Sequence, residues 1–374
     1  MATHPDIDYI NKAVLAPMVR IGTLPTRLLA LEYGADLVWS EELVDKRIIG
    51  SIRQYNPATK TVDYRKGQAK ALTFSTCEKE KGKVILQLGT ADADLALEAA
   101  LTVKQDVAGI DVNCGCPKKF SVQGGMGAAL LTNPENLKKI LTKLVDHSGM
   151  PVSCKIRLLD TQEETINLVR MIISTGVKAL TVHCRTRDQR PSEKAKWERL
   201  AEIVDFVKSI SDVPVIVNGD VFKYSDIDEV KKITHADSVM IARGAQLNPS
   251  AFRKEGLLPF DVTIQAFLKK CIDVDNLFQN TKYCVLCMST DDSNHTRSLL
   301  YSSTQRTKTL EQLYEIFGLT EYHKKTMAEH RARIEASDPA ENETSMTTKR
   351  DREESPEKEA EEPVEKKLKT DVDN

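Results

Sequence analysis

The chain has 374 residues, a formal net charge of -2 and eight cysteines. This length can hold one large domain of about 250 residues and something smaller. The cysteines are too sparse for a disulfide scaffold, the first residues hold no apolar stretch, and no run is long enough to span a membrane. We therefore expect an intracellular protein in a reducing compartment. Residues 339–374 carry 12 acidic and 7 basic residues, which leaves a mildly positive body suited to an anionic partner.

Short β-rich apolar runs recur along the first 245 residues, each followed by a helical pattern. The eight runs occupy residues 13–18, 36–41, 84–89, 109–113, 152–156, 179–183, 213–219 and 238–243. One amphipathic segment extends from Thr161 to Thr175, and Asn133 and Ser225 are candidate helix N-caps. Strand–helix alternation predicts parallel strands. Eight such units favour an α/β fold with a (β/α)8 TIM barrel over the alternative, a doubly wound sheet.

Polar side chains end almost all of these runs. At or near the C-terminal ends of the runs stand, in chain order, Met18, Glu41, Gln87, Asn113, Lys155, His183, Asn218 and Arg243. Barrel enzymes build their sites at the C-terminal strand ends, so we expect these side chains to surround one site. Lys155 alternates with apolar neighbours and should point into the barrel, where its charge needs an anion or an electron-rich ring; a structural ion pair is the alternative. His183 belongs either to this site or to a hydrogen-bonded core.

The seventh and eighth strand–loop units have the features of a phosphate site. Gly219 permits close approach of the backbone, and Arg243 with Gly244 precedes a short helix. Phosphate sites in barrels commonly follow strands seven and eight. We therefore expect a phosphorylated ligand whose ring lies against the polar ends of strands three, five and six. FMN fits this description; the alternative is that the glycines serve only as turn residues.

A loop with two thiols follows the fourth run. Cys114 and Cys116 flank Gly115 in a turn closed by Pro117, ahead of the glycine-rich residues 124–127. A reactive group just past a strand end suits a barrel enzyme. The alternative is a tight turn that holds two buried cysteines.

Together these segments resemble a known family, the tRNA-dihydrouridine synthases. The similarity lies in APM (16–18), LQLG (86–89), VNCGCP (112–117), GGMGAALL (124–131), KIR (155–157), TVHCRT (181–186), NGD (218–220) and ARGA (242–245). The chain is most similar to the eukaryotic cytoplasmic type that modifies D-loop uridine 20. The resemblance covers about residues 13 to 255, and FGL (317–319) resembles the family's helical domain.

The resemblance implies FMN as cofactor, NADPH as reductant and reduction of the uracil C5–C6 double bond within transfer RNA. It implies flavin contacts for Pro17, Met18, Gln87, Lys155, His183, Asn218, Gly219, Asp220, Ala242, Arg243 and Gly244. It gives Cys116 the role of the acid that protonates C5 after hydride reaches C6, and it places Asn113 and Arg157 near the flavin and uracil. A free thiol with a pKa of ~8.5 is mostly protonated at neutral pH, as that role requires.

Two details of the site stay open at this point. Cys114 lies nearer the strand end and competes with Cys116 for the acid role. Cys184 stands where the family usually has glycine, so a side chain must be accommodated near the flavin. Lys118 and Lys119 after the thiol loop, and Arg185 after His183, are expected on loops of the active face, together with Arg187 and Arg190. They would bind RNA phosphates or remain solvated surface charge.

We divide the chain into an FMN-binding barrel (1–255), a helical tRNA-binding domain (256–335) and a disordered charged tail (336–374). Residues 42–83 are irregular and should hold a small hairpin with exposed basic side chains. Cys271, Cys284, Cys287 and His295 are too irregularly spaced for zinc, so we predict no metal. The sequence has no visible double-stranded RNA-binding domain. The lysine-rich residues 366–369 are a weak nuclear signal or, the favoured reading, solvated charge, so we expect a cytoplasmic protein with a nuclear pool as the alternative.

Two other functions remain as alternatives. The first is an FMN barrel reductase of a small pyrimidine or enone, which the basic loops disfavour. The second is a barrel that binds RNA without turnover, which the presence of Cys116, Lys155 and His183 disfavours.

Overall fold

The computed structural model describes residues 4–68, 70–190, 192–290 and 295–337. Within them, eight parallel strands close into a barrel, because the first and last strands of the sheet also pair with each other. In spatial order these strands are β2 (Leu37–Trp39), β1 (Ala13–Leu15), β12 (Ser238–Ile241), β11 (Val215–Asn218), β10 (Ala179–Thr186), β9 (Val152–Leu158), β8 (Gly109–Cys114) and β7 (Val84–Gly89). The predicted TIM barrel is confirmed, and the doubly wound alternative is wrong.

Helices surround the barrel and cover the outward faces of its strands. They are α1 (Leu24–Glu32), α3 (Ala93–Val103), α5 (Pro134–His147), α6 (Gln162–Ser174), α7 (Trp197–Ile210) and α8 (Ile227–Thr234), with the shorter α2 (Asp45–Ile48), α4 (Lys119–Gln123) and α9 (Arg243–Leu247). Short 3-10 turns occupy Glu78–Glu80, Gly127–Thr132, Tyr224–Asp226 and Pro249–Phe252. In the ranges given above, none of the helices combines the length and apolar character needed to cross a membrane.

One of the two candidate N-caps is confirmed, and the amphipathic segment that begins at Thr161 is a helix. Thr161 accepts the N–H of Glu164 and Glu164 bonds back to Thr161, which forms a capping box ahead of α6. The Asn133 side chain accepts the N–H of Asn136 at the start of α5. Ser225 is not a cap. The Asp226 carboxylate instead accepts the N–H groups of residues 222 and 223, and α8 begins after it.

The irregular region between β2 and β7 holds more than the expected hairpin. Three antiparallel strands form a separate sheet, β4 (Ile52–Asn56), β5 (Thr61–Lys66) and β6 (Ala71–Thr76), while the short β3 (Leu43–Val44) adds to β7. The buried guanidinium of Arg27 joins this sheet to α1, because it donates to both carboxylate oxygens of Glu80 and to the carbonyl of Ser75. Lys46, Arg47, Arg53 and Lys60 are exposed as expected, whereas Arg65 and Lys66 are half-buried.

The C-terminal third of the described chain is helical, as the sequence predicts. Its helices are α10 (Phe260–Asp273), α11 (Phe278–Met288), α12 (His295–Arg306), α13 (Leu310–Ile316) and α14 (Thr320–Ser337). Their apolar faces pack together and against Ile21 and Leu29 of the α1 region. Among the described residues, no three His, Cys, Asp or Glu side chains gather as metal ligands would. The predicted charged tail lies outside the described residues from 338 onward, and the domain boundaries stay predictions.

Candidate active site

The central strands β8, β9 and β10 sort their residues onto two faces. Alternate positions pack outward beneath the helices: Ile110, Val112, Cys114, Cys154, Ile156, Leu180, Val182 and Cys184. The intervening positions face the barrel interior: Asp111, Asn113, Ser153, Lys155, Arg157, Thr181 and His183. This alternation is the ordinary two-residue period of a strand, and it brings the predicted ends Asn113, Lys155 and His183 together at one end of the barrel. Glu41 does not join them, because its carboxylate accepts the N–H of Arg20 and lines a different cavity.

The alternation separates the two candidate thiols. Cys114 is fully buried on the outward face, where its Sγ lies 3.6 Å from the carbonyl of Val112. Cys116 is half-buried on the loop beyond the strand. Cys184 is also fully buried, on the outward face of β10 among the apolar side chains beneath the helices. The acid role of Cys116 stays a prediction, and the burial of Cys114 favours it.

A chain of amides supports the Cys116 loop. Gln87 is buried and donates from Nε2 to Asp111 Oδ2 at 2.7 Å. Asn113 donates from Nδ2 to Gln87 Oε1 at 3.3 Å. The Oδ1 of Asn113 then accepts the N–H groups of Gly115 at 2.9 Å and Cys116 at 3.1 Å. The loop geometry is therefore set by side chains that reach back into the barrel.

Arg157 supports the same loop from the neighbouring strand. Its Nε donates to the carbonyl of Gly115 at 2.9 Å and its Nη1 to the carbonyl of Thr186 at 2.9 Å. Adding a Cβ at Gly115 would place it 3.2 Å from Cγ of Arg157. The arginine thus links the thiol loop to the end of β10, and its predicted place near flavin and uracil stays a prediction.

Glu42 is the site residue that the sequence analysis missed. Its side chain is buried, lies beside Gly89 and interacts with Cys116 and Asn113. Burial raises the pKa of Glu42, against the smaller effects of Cys116, Lys118 and Asn113. Burial, and then the Glu42 carboxylate, raise the pKa of the Cys116 thiol. The thiol therefore holds its proton at neutral pH.

The inward side chains of β9 and β10 carry positive charge into a buried space. Burial, with the nearby Arg157, lowers the pKa of Lys155 to about 8, while Asp111 acts in the opposite direction. Burial lowers the pKa of His183, and Lys155, Arg157, Arg185 and Arg243 lower it further, so the imidazole is neutral. The Nη1 of Arg185 lies 3.2 Å from His183 Nε2. Because a guanidinium only donates, Nε2 accepts, and the ring proton lies on Nδ1.

Arg185 does not lie on an exposed loop, so that expectation is wrong. Strand β10 continues to Thr186, and Arg185 is only 2% exposed. Its guanidinium donates to Asp220 Oδ1 at 2.5 Å and, through Nε, to the carbonyl of Glu193 at 2.8 Å. Such a group is directed at its neighbours rather than at an RNA backbone. The other predicted basic residues are exposed: Lys118, Lys119, Arg187 and Arg190.

A cavity of about 140 Å³ lies at the ends of β10, β11 and β12. Its lining consists of Arg157, His183, Arg185, Asn218, Gly219, Asp220, Val221, Phe222, Ala242 and Arg243. Gly219 has φ +118, and a Cβ there would come within 3.2 Å of the His183 ring. A Cβ on Gly244 would meet the carbonyl oxygen of Phe222 at 2.1 Å, so both glycines are required by close approach.

Asp220 organises the cations of this cavity. It accepts from both Arg185 and Arg243, and from the N–H of Ala195 at 2.7 Å. Burial opposes its charge, but these donors together hold its pKa below the usual value. The Asn218 side chain is fixed by donating to the carbonyl of Met240 at 2.8 Å. Pro17 and Met18, the remaining predicted cofactor contacts, are half-buried after β1.

The barrel carries a thiol, a lysine and a cationic cavity at the C-terminal ends of its strands. Barrel enzymes place their active sites at this end. The chain belongs to the dihydrouridine synthase family, whose model matches residues 14–336. It is 46% identical to the tRNA-dihydrouridine(20) synthase (NAD(P)+) of Schizosaccharomyces pombe over 325 residues. This match covers 85% of this chain and 67% of that protein. The corresponding enzyme of Saccharomyces cerevisiae is 43% identical over 296 residues, or 74% of this chain and 77% of that protein. The S. cerevisiae tRNA-dihydrouridine(20a/20b) synthase (NAD(P)+) is 31% identical over 278 residues, which are 74% of this chain and 71% of that protein. The family assignment made from the motifs is confirmed.

Proposed function

We propose that this protein is a tRNA-dihydrouridine(20) synthase that uses FMN and NADPH. The observation that carries the proposal is the family match together with its gradient of identity. The chain is 46% and 43% identical to two relatives named for position 20, and 31% identical to one named for positions 20a and 20b. The NAD(P)+ in these names supports a nicotinamide reductant.

The residues present fit FMN. The cavity beyond β10–β12, of about 140 Å³, has room for a phosphate group, is lined by three arginines and needs glycine at its closest points. Gln87, Lys155 and His183 offer an amide, an ammonium and a neutral N–H to a polar ring, and the half-buried Pro17, Met18 and Ala242 offer apolar contact. When bound and reduced, FMN would supply the hydride that C6 of uracil receives.

The protein would supply the matching proton. Cys116 holds its proton at neutral pH because burial and Glu42 raise its pKa, and it would donate that proton to C5. The Asn113 and Arg157 contacts to its loop fix where the thiol lies. The Nδ1–H of His183 and the Lys155 ammonium are further donors for the charge that develops on the flavin and on the uracil carbonyl.

Transfer RNA is the proposed substrate. The exposed Lys118, Lys119, Arg187 and Arg190 flank the thiol loop and the end of β10, where they can contact phosphates. A uridine must leave its stack to reach a thiol that is only half exposed. The helical region from α10 onward is proposed as a second RNA contact, and the cytoplasm as the location.

The direct test is to supply the purified protein with NADPH and a tRNA transcript that lacks modifications, and to map dihydrouridine by mass spectrometry. We expect dihydrouridine at position 20. Dihydrouridine at another position would reject the position-20 assignment. Reduction of free uracil or of an enone, with no change in the tRNA, would reject the tRNA substrate and favour the small-molecule reductase.

A further inference from the structure

Asp111 is a buried carboxylate to which the proposed chemistry assigns no role. It is fully buried on the inward face of β8, level with Gln87 of β7 and Ser153 of β9. Ser153 Oγ donates to Oδ1 at 2.7 Å, and Gln87 Nε2 donates to Oδ2 at 2.7 Å. A buried carboxylate is costly unless it is hydrogen-bonded, and here each oxygen has a donor.

The hydrogen bonds that begin at Asp111 have a fixed direction. A carboxylate only accepts and a main-chain N–H only donates, so the chain is defined at both ends. Gln87 must turn its NH2 group to Asp111, which leaves its oxygen for Asn113. Asn113 must then turn its oxygen to the N–H groups of Gly115 and Cys116. The orientation of each amide follows from the charge at the start of the chain.

We propose that Asp111 is a positioning residue for Cys116, acting through the orientation of the Gln87 and Asn113 amides on the loop that carries the thiol. This inference rests on the proposed function, in which Cys116 is the proton donor. The hydrogen bonds that the structure gives Asp111 go to Gln87 and Ser153, so its effect on the Cys116 loop passes through the Gln87 and Asn113 side chains.

The charge state of Asp111 suits this role. Burial raises its pKa to about 6, although Gln87, Ser153, Lys155 and Trp39 all act to lower it. At neutral pH the group therefore remains mostly an acceptor, which the Gln87 NH2 group requires.

The test is Asp111→Leu, which keeps a similar branched shape and removes both acceptor oxygens; Asp111→Asn alone would preserve the chain, because its NH2 group can donate to Ser153 Oγ while its oxygen still accepts from Gln87. In Asp111→Leu the Gln87 NH2 group has no acceptor, so the Gln87 amide is free to turn over and Asn113 loses the orientation that holds the Cys116 loop. We expect dihydrouridine formation at saturating tRNA to fall ~10- to 100-fold, since small misplacements of a reacting group have effects of this size. We also expect Cys116 alkylation by iodoacetamide, followed by peptide mass spectrometry, to become severalfold faster in the purified protein. Cys77, half-buried and remote from the loop, is the internal control and should keep its rate.

A paired substitution restores the direction of the chain. In Asp111→Asn with Gln87→Glu, the new NH2 group donates to the new carboxylate, whose other oxygen accepts from Asn113. We expect Cys116 alkylation to return to near the wild-type rate in this double variant. If Asp111→Leu does not fold, the double variant is compared with Gln87→Glu alone. A rate of Cys116 alkylation no closer to the wild-type rate than in that single variant overturns the proposal.

Ser153→Ala is the matched control for a purely structural role, because it removes the other hydrogen bond of Asp111 and leaves the Gln87 bond intact. We expect a lower midpoint temperature of thermal unfolding and an unchanged rate of Cys116 alkylation. Equal acceleration of alkylation at Cys116 in Ser153→Ala and Asp111→Leu, or acceleration at Cys77 as well, would show that Asp111 supports packing in general and would overturn the inference. Unchanged alkylation at Cys116 in Asp111→Leu would also overturn the inference. Alkylation does not involve tRNA, so an altered Cys116 rate in a protein that never modifies tRNA would instead count against the proposed function.

Discussion

The two halves of the barrel mouth are built differently. On the thiol side, formed by Glu42 and the ends of β7 and β8, amides and carboxyl groups hold a protonated Cys116 in place. On the cationic side, formed by the ends of β10, β11 and β12, arginines gather around Asp220 and a small cavity. Lys155 of β9 lies between them and interacts with both Asp111 and Arg157.

The difference suggests a division of labour in which one half manages a proton and the other holds an anion. Positive neighbours favour a thiolate, and an adjacent carboxylate has the opposite effect. A phosphate site needs positive neighbours. Arg157 contacts both sides, because it donates to the Gly115 carbonyl and lines the cavity, but burial and Glu42 still raise the pKa of Cys116. Substitutions on each side should therefore affect different steps.

The largest expected effect comes from the thiol side. Cys116→Ala should lower dihydrouridine formation ~100- to 10,000-fold, the usual contribution of a general acid, and leave the bound flavin unchanged. Quantifying dihydrouridine in tRNA by mass spectrometry, with flavin absorbance measured on the same sample, checks both. Cys114→Ala is the matched control and should keep its activity. It should lower the free energy of unfolding by about 1 kcal/mol, because this thiol is buried under the helices. An inactive Cys114→Ala beside an active Cys116→Ala would reverse the assignment.

The next effect belongs to the cationic side. Arg243→Ala should weaken retention of flavin by ~10-fold or more, because it removes a charge-assisted contact to the expected phosphate. The flavin-to-protein ratio after dialysis measures this. Arg170→Ala, which removes an exposed arginine over the ring of Phe206 on the outer helices, should retain flavin as the wild type does. A full flavin content in Arg243→Ala would remove this residue from the phosphate site.

A smaller effect should come from the residue between the two halves. The pKa of Lys155 is lowered to about 8, so the side chain is charged below this pH and loses its charge as the pH rises through it. Flavin affinity should therefore be level at and below neutral pH and decline severalfold by pH 9, as titration of flavin fluorescence can show. Lys155→Arg should remain level to pH 9 because arginine stays protonated. The same decline in Lys155→Arg would attribute the pH dependence to another group.

The smallest effect is expected outside both halves. Deletion of residues 339–374 should change dihydrouridine formation less than ~2-fold, because every candidate site residue lies between Pro17 and Gly244 and the deleted segment has no aromatic residue to pack. Initial rates at low and high tRNA concentration would measure it. A large loss confined to low tRNA concentration would give the segment a part in RNA binding.

The barrel could be predicted from the sequence because its strands are short apolar runs, and all but the first run have a polar residue at or near the end. The sequence did not locate Glu42, since β3 has only two residues and the region after it has no clear period. The sequence predicts a hairpin where the structure has the three strands β4 to β6, for a related reason. All but the last residue of β4 are exposed, so no alternation of apolar and polar residues marks that strand. Such details depend on partners far along the chain.

Arg185 and Cys184 show how one boundary changes the interpretation of a site. The sequence ended the sixth barrel strand at His183, which made both residues part of a loop. The strand continues to Thr186, so Cys184 turns outward and Arg185 turns inward beside His183. The period of the strand would have given both orientations, but the extra residues pair through an irregular register that the sequence does not indicate.

The most direct test of the account separates the two half-reactions in Cys116→Ala. Flavin absorbance is followed without oxygen, first after NADPH is added and then after unmodified tRNA is added. The account predicts that NADPH reduces the flavin of the variant at the wild-type rate. The tRNA should then reoxidise this flavin ~100-fold or more slowly than in the wild type. Two results would contradict the account. One is reoxidation of the flavin by tRNA at the wild-type rate in Cys116→Ala, and the other is a protein that purifies without flavin and binds none when it is added.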